Sequence, residues 1–237
     1  MRPSPLSRAF AWSGGALFAA SLILFLYSYL VVFGRPAPPG PWLWPALVNT
    51  ILFSAFALHH SALARSGMRE LVRRALPLYL ERAAYIWVSS LLFAAVCWWW
   101  LPVPGRVYRL AGFWWWGGMA VQAAGVVLTY LGSSAIDPLD LAGIRQVLRS
   151  PHGSPAHMPL RTTGVYALVR HPIYLGWILL VFGTPSLNGT RLVFAAVSTL
   201  YLAIAVPWEE RALLATFGAE YRTYQNRVRW RVIPGIY

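Results

Sequence analysis

Five long apolar runs divide the chain, separated by short polar breaks. Residues 9–33 carry no charge, with Arg2 and Arg8 just ahead of them. Residues 42–64 follow, opened by Trp42 and Trp44 and closed by His59 and His60. The third run, 83–104, ends in Trp98-Trp99-Trp100, and the fourth, 110–136, begins around Trp114-Trp115-Trp116. Each reaches the roughly 20 apolar residues a helix needs to cross a bilayer, and the tryptophans read as an aromatic belt. The fifth run, 173–208, is too long for one crossing and is interrupted by Pro185-Ser-Leu-Asn-Gly-Thr-Arg191. Those residues predict a tight turn, so the run reads as two shorter helices in a hairpin. Beyond it, Leu213, Leu214, Phe217, Tyr221, Tyr224 and Val228 recur at three- and four-residue steps. That spacing predicts one face of a C-terminal helix lying along the membrane surface. The expected fold is an all-α integral membrane protein of about six transmembrane helices plus this interfacial helix, one domain over 1–237. The first run is too long for a signal-peptide core and lacks a following small-residue cleavage site.

Composition sharpens this picture without changing it. The chain is 58% hydrophobic and 11% charged, with a mean hydropathy of +0.52, whereas soluble domains carry about 25% charged residues. All 20 basic residues are arginine, and the net charge is +13. The arginines flank apolar spans and form no basic soluble domain, which favours membrane lipids over nucleic acid as the partner. No obligate protein partner is evident. With six spans and both termini inside, 16 arginines fall on the cytoplasmic side and Arg35, Arg106, Arg109 and Arg191 outside. This asymmetry supports the layout and predicts that the chemistry lies at the cytoplasmic face of the membrane. Cys97 is the single cysteine and cannot form an intramolecular disulfide.

The polar segments 137–176 and 208–231 hold the candidate chemistry. Pro172 suits the first position of a helix, which puts His171 at or near its N-cap and Arg170 just outside. The helix N-terminus and Arg170 together can receive a carboxylate or phosphate, or the pair can simply anchor the helix end among lipid headgroups. Trp208-Glu209-Glu210-Arg211 follows the last span and emerges on the same side. Glu210 is expected on the inward face, three and four residues before Leu213 and Leu214. The alternative is an interfacial helix whose tyrosines sit among headgroups and whose glutamates neutralise arginines. An acidic pair, an Arg-His helix entrance and two aromatics suit a ligand with a carboxylate, an ammonium or hydroxyls, and a flat ring. S-adenosyl-L-methionine has each of these parts.

Two blocks carry a family resemblance. Gly164-x-Tyr166-x-x-Val169-Arg170-His171-Pro172-x-Tyr174-x-Gly176, followed by Glu209-Glu210-x-x-Leu213-x-x-x-Phe217-Gly218-x-x-Tyr221-x-x-Tyr224, resembles the isoprenylcysteine carboxyl methyltransferase superfamily. The resemblance implies an integral-membrane enzyme that uses S-adenosyl-L-methionine. It implies cofactor binding by Gly164, Tyr166, Val169, Arg170, His171, Pro172, Tyr174, Glu209, Glu210, Tyr221 and Tyr224, with Arg170 and Glu210 as the catalytic pair. Upstream, His60-Ser61-x-x-Ala64-Arg65, Glu81-Arg82-x-x-Tyr85 and Asp140-Leu-x-Gly143-x-Arg145-Gln146 are similar to the bacterial methanethiol S-methyltransferase branch and its NnrU-related relatives. That similarity implies a small thiol substrate such as methanethiol, with His60, Arg65, Arg145 and Gln146 binding it. Gly164-Val-Tyr166 is closer to the prenylcysteine enzymes, so carboxyl methylation of a prenylcysteine-like or other lipophilic acceptor stands as an alternative.

Other readings remain beside these. A non-catalytic NnrU-like protein would use His59, His60 or His171 toward haem, yet adjacent histidines on a helix point about 100° apart and make poor joint ligands. No metal is expected. A transporter is disfavoured by the shortage of intramembrane charges and paired broken helices. Glu81-Arg82 reads as a surface ion pair, and Asp140 either lines the site or caps the helix carrying Arg145. The expected reaction is in-line methyl transfer, which needs placement and desolvation more than a strong acid or base.

Overall fold

The computed structural model describes residues 4–62, 76–148 and 159–237. They form two compact units, each assembled from separated stretches of chain. The first comprises Met1–Arg35, Pro41–Pro102 and Asp137–His157, and the second Pro36–Gly40, Val103–Ile136 and Met158–Tyr237.

In the first unit, helix α1 (Pro5–Tyr27) starts where the Ser4 side chain accepts a hydrogen bond from the Ser7 amide with Pro5 next in line. This is the arrangement expected at a helix N-terminus. The helix runs on through a wider π-type turn at Ser28–Val32. It packs against α3 (Glu81–Trp99), while α2 (Leu43–Ala62) packs on the same α3. Gly14 permits the contact, because a Cβ there would meet Trp87 Cδ1 at 2.8 Å. Phe25, Phe33, Phe93 and Trp100 fill one end, with ring pairs 5.4 and 5.8 Å apart. Buried Asn49 of α2 uses both ends of its amide on one residue: it donates to the Leu101 carbonyl and accepts from the Leu101 amide, each at 2.8 Å. The end of α3 is thereby tied to α2. Two short helical turns, α5 (Pro138–Leu141) and α6 (Ile144–Leu148), complete this unit.

The second unit is built on α4 (Phe113–Ser134) and α7 (Pro172–Phe182), which lie close together along much of their length. Glycines set the distance. A Cβ on Gly125 would lie 2.5 Å from the Leu180 amide nitrogen, and one on Gly176 would lie 2.4 Å from Thr129 Oγ1. Small residues at such contacts let backbones approach where lipid offers no hydrophobic drive for helix association. Gln122 Nε2 adds a hydrogen bond to the Leu180 carbonyl at 3.1 Å. Helix α8 (Gly189–Phe217) follows, capped by the Asn188 side chain, which accepts from the Arg191 amide. It packs on α7 through Trp177, which donates to Ser198 Oγ at 3.0 Å and lies against Phe194.

Among the described residues, three stretches are both long and apolar enough to cross a membrane: Pro5–Val32, Leu78–Trp99 and Gly189–Phe217. Helices α2 and α4, with 20 and 22 residues, also reach spanning length. Helix α7 has 11 residues and rises only about 16 Å, well short of a hydrocarbon core about 30 Å thick.

The described residues are mostly helical, as expected, and two local features depart from the sequence expectation. Strand β1 (Arg106–Arg109) pairs antiparallel with β2 (Ser186–Asn188), aligning Arg109 with Ser186 and Arg106 with Asn188. The chain between the hairpin helices is thus held by backbone bonds instead of forming a free turn. Likewise, Leu213 to Val228 do not form one helix. Helix α8 continues through Glu209 and Glu210 to Phe217, Gly218 breaks it at φ +54°, and α9 (Ala219–Arg227) restarts. Glycine alone among residues visits that conformation without a steric cost.

Gly125→Val should lower the thermal midpoint of detergent-purified protein, since overpacking a tight contact typically costs about 1–3 kcal/mol. Gly117→Ala on the same helix, where an added Cβ meets nothing within 4 Å, should leave the midpoint unchanged or slightly raised.

Candidate functional site

The entrance to α7 begins with Gly164, whose φ of +62° turns the chain into a short 3-10 turn over Gly164–Ala167. This turn delivers Tyr166 into the interior. Its hydroxyl donates to the Gly132 carbonyl at 3.2 Å, and its own carbonyl accepts from Tyr224 O–H at 2.7 Å. Val169 is fully buried, and Arg170 and His171 are nearly so. His171 occupies the N-cap and Pro172 the first helical position, as the sequence predicts.

Arg170 lies at the centre of a polar cluster. Its Nε donates to Glu210 Oε1 at 2.6 Å, while its Nη1 donates to the carbonyls of Val228 and Arg229 at 2.8 and 2.9 Å. The Nη2 amino group takes no part in these bonds. The Arg170 backbone amide donates to Trp230 O, and the His171 amide to Arg231 O, at 2.9 and 2.8 Å. Residues 228–231 therefore run as an extended strap along the entrance of α7. Arg231 then returns to the cluster, its Nε donating to Glu210 Oε2 at 3.1 Å and its Nη1 to Tyr237 Oη at 3.2 Å.

The two glutamates divide sharply. The Glu210 side chain is 7% exposed and held by two arginines, whereas that of Glu209 is 46% exposed. Glu209 accepts a short hydrogen bond from Tyr174 O–H. The His171 ring lies between them, Nδ1 at 3.6 Å from Glu209 and Nε2 at 3.5 Å from Glu210, and stacks on Tyr174 at 5.4 Å with 9° between planes.

Tyr221 and Tyr224 sit on α9 in a buried cluster with Val228, packed by Leu160, Leu213, Leu214 and Phe217. The predicted apolar face is therefore one packed group carried by two helices. Burial pushes the Tyr221 phenol up to about 12, helped by the charge of Glu210. Burial, followed by the charge of Glu209, does the same for Tyr166. Both phenols stay neutral across the physiological range and act as hydrogen-bonding groups.

Of the residues implied for substrate binding, His60, Arg145 and Gln146 lie in the first unit. His60 Nδ1 is 2.6 Å from Tyr85 Oη, and the His59 ring stacks on the same tyrosine. This contact joins two of the upstream blocks. Gln146 Nε2 donates to Asp140 Oδ1 at 3.0 Å, and Arg145 forms an ion pair with Asp137. That bond to Arg145 holds the Asp137 carboxyl below its ordinary range. Asp137 caps α5, its side chain accepting from the Leu139 amide, whereas Asp140 lies within α5 and holds Gln146 instead of standing at the start of α6, the helix that carries Arg145. Arg82 reaches the Asp140 carbonyl at 2.8 Å, so it is tied into this corner. Arg65 lies outside the described residues. Among the described residues, no three His, Cys, Asp or Glu side chains converge as a metal site.

Sequence reasoning did not find Arg231 or the strap. The alternation of Val228, Trp230 and Val232 with Arg229 and Arg231 was the available signal, since a period of two marks extended chain.

Comparison with known proteins places the chain in a family. The chain is 34% identical over 222 residues to a methanethiol S-methyltransferase of Bradyrhizobium diazoefficiens, covering 89% of this chain and 85% of the relative. It is 32% identical over 202 residues to a methanethiol S-methyltransferase of Pseudomonas deceptionensis, covering 81% and 74%. A Nurim homolog from Drosophila pseudoobscura is 26% identical over 169 residues, covering 68% and 67%. The chain belongs to the methanethiol S-methyltransferase family of membrane methyltransferases, within the isoprenylcysteine carboxyl methyltransferase superfamily. No family model matches it. No solved structure matches it.

Tyr224→Phe would leave the buried Tyr166 carbonyl without this donor. Loss of such a partner should cost about 1–3 kcal/mol, visible as a lower thermal or denaturant midpoint. Tyr130→Phe, at an exposed position, should match the wild type.

Proposed function

We propose that this chain transfers the methyl group of S-adenosyl-L-methionine to methanethiol, giving dimethyl sulfide and S-adenosylhomocysteine, at a donor site in the second unit. The observation that carries the reading is the convergence of the two family blocks: Arg170, His171 and Tyr174 at the entrance of α7 meet Glu209 and Glu210 of α8. Family membership supplies the reaction class, and the cluster offers groups of the right charge. Exposed Glu209 suits an ammonium or ribose hydroxyls, and the Nη2 end of Arg170 suits a carboxylate. Gly164, where an added Cβ meets nothing within 4 Å, leaves open space beside the entrance.

The donor supplies an electrophilic methyl on a sulfonium. The protein's part is to hold its polar end and exclude water near the acceptor, because alignment of the reactants contributes most of the rate in such a displacement. The thiol must arrive as, or become, its thiolate.

Calorimetric titration of purified protein with S-adenosyl-L-methionine and S-adenosylhomocysteine tests the donor, followed by methyl-transfer assays with methanethiol, larger thiols and prenylcysteines. Saturable donor binding with turnover of methanethiol supports the reading. No binding at millimolar ligand in a folded sample removes it, and turnover confined to prenylcysteines moves the acceptor to the carboxyl class. Glu209→Gln should weaken donor binding about ten-fold, the scale of a hydrogen bond to a charged group, while Glu220→Gln, exposed on α9, binds normally.

The layout we propose for the membrane is about six crossings, with both termini and the donor site at the cytoplasmic face of the bacterial inner membrane, because 16 of 20 arginines then lie inside. Reporter fusions after residue 237 and within 34–41 should give opposite signals. A periplasmic signal from the former reverses the placement of the site.

A further inference from the structure

The two adjacent glutamates do not share one task, and the difference traces to an arginine outside both family blocks. Both oxygens of Glu210 are occupied, Oε1 by Arg170 Nε and Oε2 by Arg231 Nε. Arg231 comes from the strap, whose backbone is already bonded to Arg170 and His171 through Trp230 O and Arg231 O. Its guanidinium also stands 5.1 Å from the Tyr237 ring and donates to that residue's hydroxyl. The end of the chain closes on itself there, with the amides of Val232 and Ile233 both donating to Tyr237 O at 2.8 and 2.9 Å. Arg231 is thus fixed on both sides, and through it Glu210 is fixed as well. Glu210 in turn determines which donors of Arg170 remain uncommitted.

We propose that Arg231 is a positioning residue for the donor site. It acts through Glu210: holding Oε2, it keeps Oε1 on Arg170 Nε, which orients the guanidinium so that Nη2 is the end presented to a ligand. Glu210 then belongs to the positioning machinery together with Arg231, and Glu209 is the carboxylate left to contact the donor. The inference rests on the donor-site reading given above.

Without Arg231, one Glu210 oxygen loses its cation. The carboxylate can then rotate or take His171 Nε2, which already lies 3.5 Å from it, and Arg170 loses its fixed orientation. The strap retains its backbone bonds, so the fold persists while the alignment of Arg170 relaxes.

The test uses full-length protein in detergent and measures, for each variant, the thermal midpoint, the number of S-adenosylhomocysteine sites and their Kd by calorimetry. Arg231→Gln should raise the Kd about five- to twenty-fold with the number of sites unchanged, and Arg231→Lys should recover most of the affinity because it restores the charge beside Glu210. Glu210→Gln should also raise the Kd, and adding Arg231→Gln to it should change little further, since two residues acting through one contact are non-additive. Tyr237→Phe, which removes only the hydroxyl behind Arg231, should produce a smaller rise of the same kind. A purely structural role would instead lower the midpoint and the number of sites at constant Kd, and that result overturns the proposal. So does a Kd unchanged in both Arg231→Gln and Tyr237→Phe, or fully additive effects of Arg231→Gln and Glu210→Gln. If wild-type protein binds no donor product, the donor-site reading fails first and this inference with it.

Discussion

The geometry of the second unit depends on the buried ion pair between Arg170 and Glu210. Removing a carboxylate and a guanidinium from water costs several kcal/mol per ion, and their attraction offsets this only when remaining donors and acceptors are also satisfied. Here most are: Glu210 has a second arginine and Arg170 has two backbone carbonyls, with Nη2 alone outside these bonds. The result is less a source of net stability than a device that brings three sequence-distant segments into one arrangement. A lysine at position 170 could not do this, because the work requires several donors in a fixed planar fork. Breaking one side would strand a buried charge, a loss on the order of 3–5 kcal/mol.

The pair needs the entrance of α7 to sit in one place, and glycine packing within the same unit arranges that. Gly132 of α4 accepts the Tyr166 hydroxyl through its carbonyl, and a Cβ on Gly132 would fall 2.7 Å from Ile173 Cγ1, at the first turn of α7. The spacing of Gly118, Gly125 and Gly132 at seven-residue intervals keeps one face of α4 bare where α7 lies. Backbone contact along α4 and α7 therefore fixes the start of α7, and the start of α7 fixes Arg170. Tyr224 extends the same logic to α9, since its hydroxyl bond to Tyr166 O ties the last helix to the turn that opens the site.

What the sequence made legible follows from how locally each feature is encoded. Pro172 announces a helix start through its own backbone geometry, and the apolar runs announce membrane helices through length alone. Glu210 faces inward because its neighbours Leu213 and Leu214 share its face. The break at Gly218 was hidden, because a helix that restarts after one residue preserves the three- and four-residue spacing on which the reading relied. Strands β1 and β2, of four and three residues, are too short to show a period and form only by pairing with each other across the chain. Pro138 marks a first helical position and so makes Asp137 the cap of α5, a short turn that the sequence reading did not separate from the helix carrying Arg145. The alternation over 228–232 marks the strap as extended chain but says nothing of its partner: Arg231 finds Glu210 from 21 residues away.

For the transfer we propose, cancelling the charge of Arg170 matters as much as placing it. The reaction joins a sulfonium cation to a thiolate anion, so the transition state is less charged than the reactants, and a site of low polarity favours it over solution. An uncompensated buried arginine would repel the sulfonium and hold water in the site. Glu210 removes that excess while leaving Nη2 of the guanidinium outside its bonds, and Glu209, on the solvent side, would supply attraction for the donor's polar end without placing a bare carboxylate in the apolar interior. Adjacent residues on a helix point about 100° apart, so a consecutive acidic pair is a compact way to obtain one carboxylate in each environment.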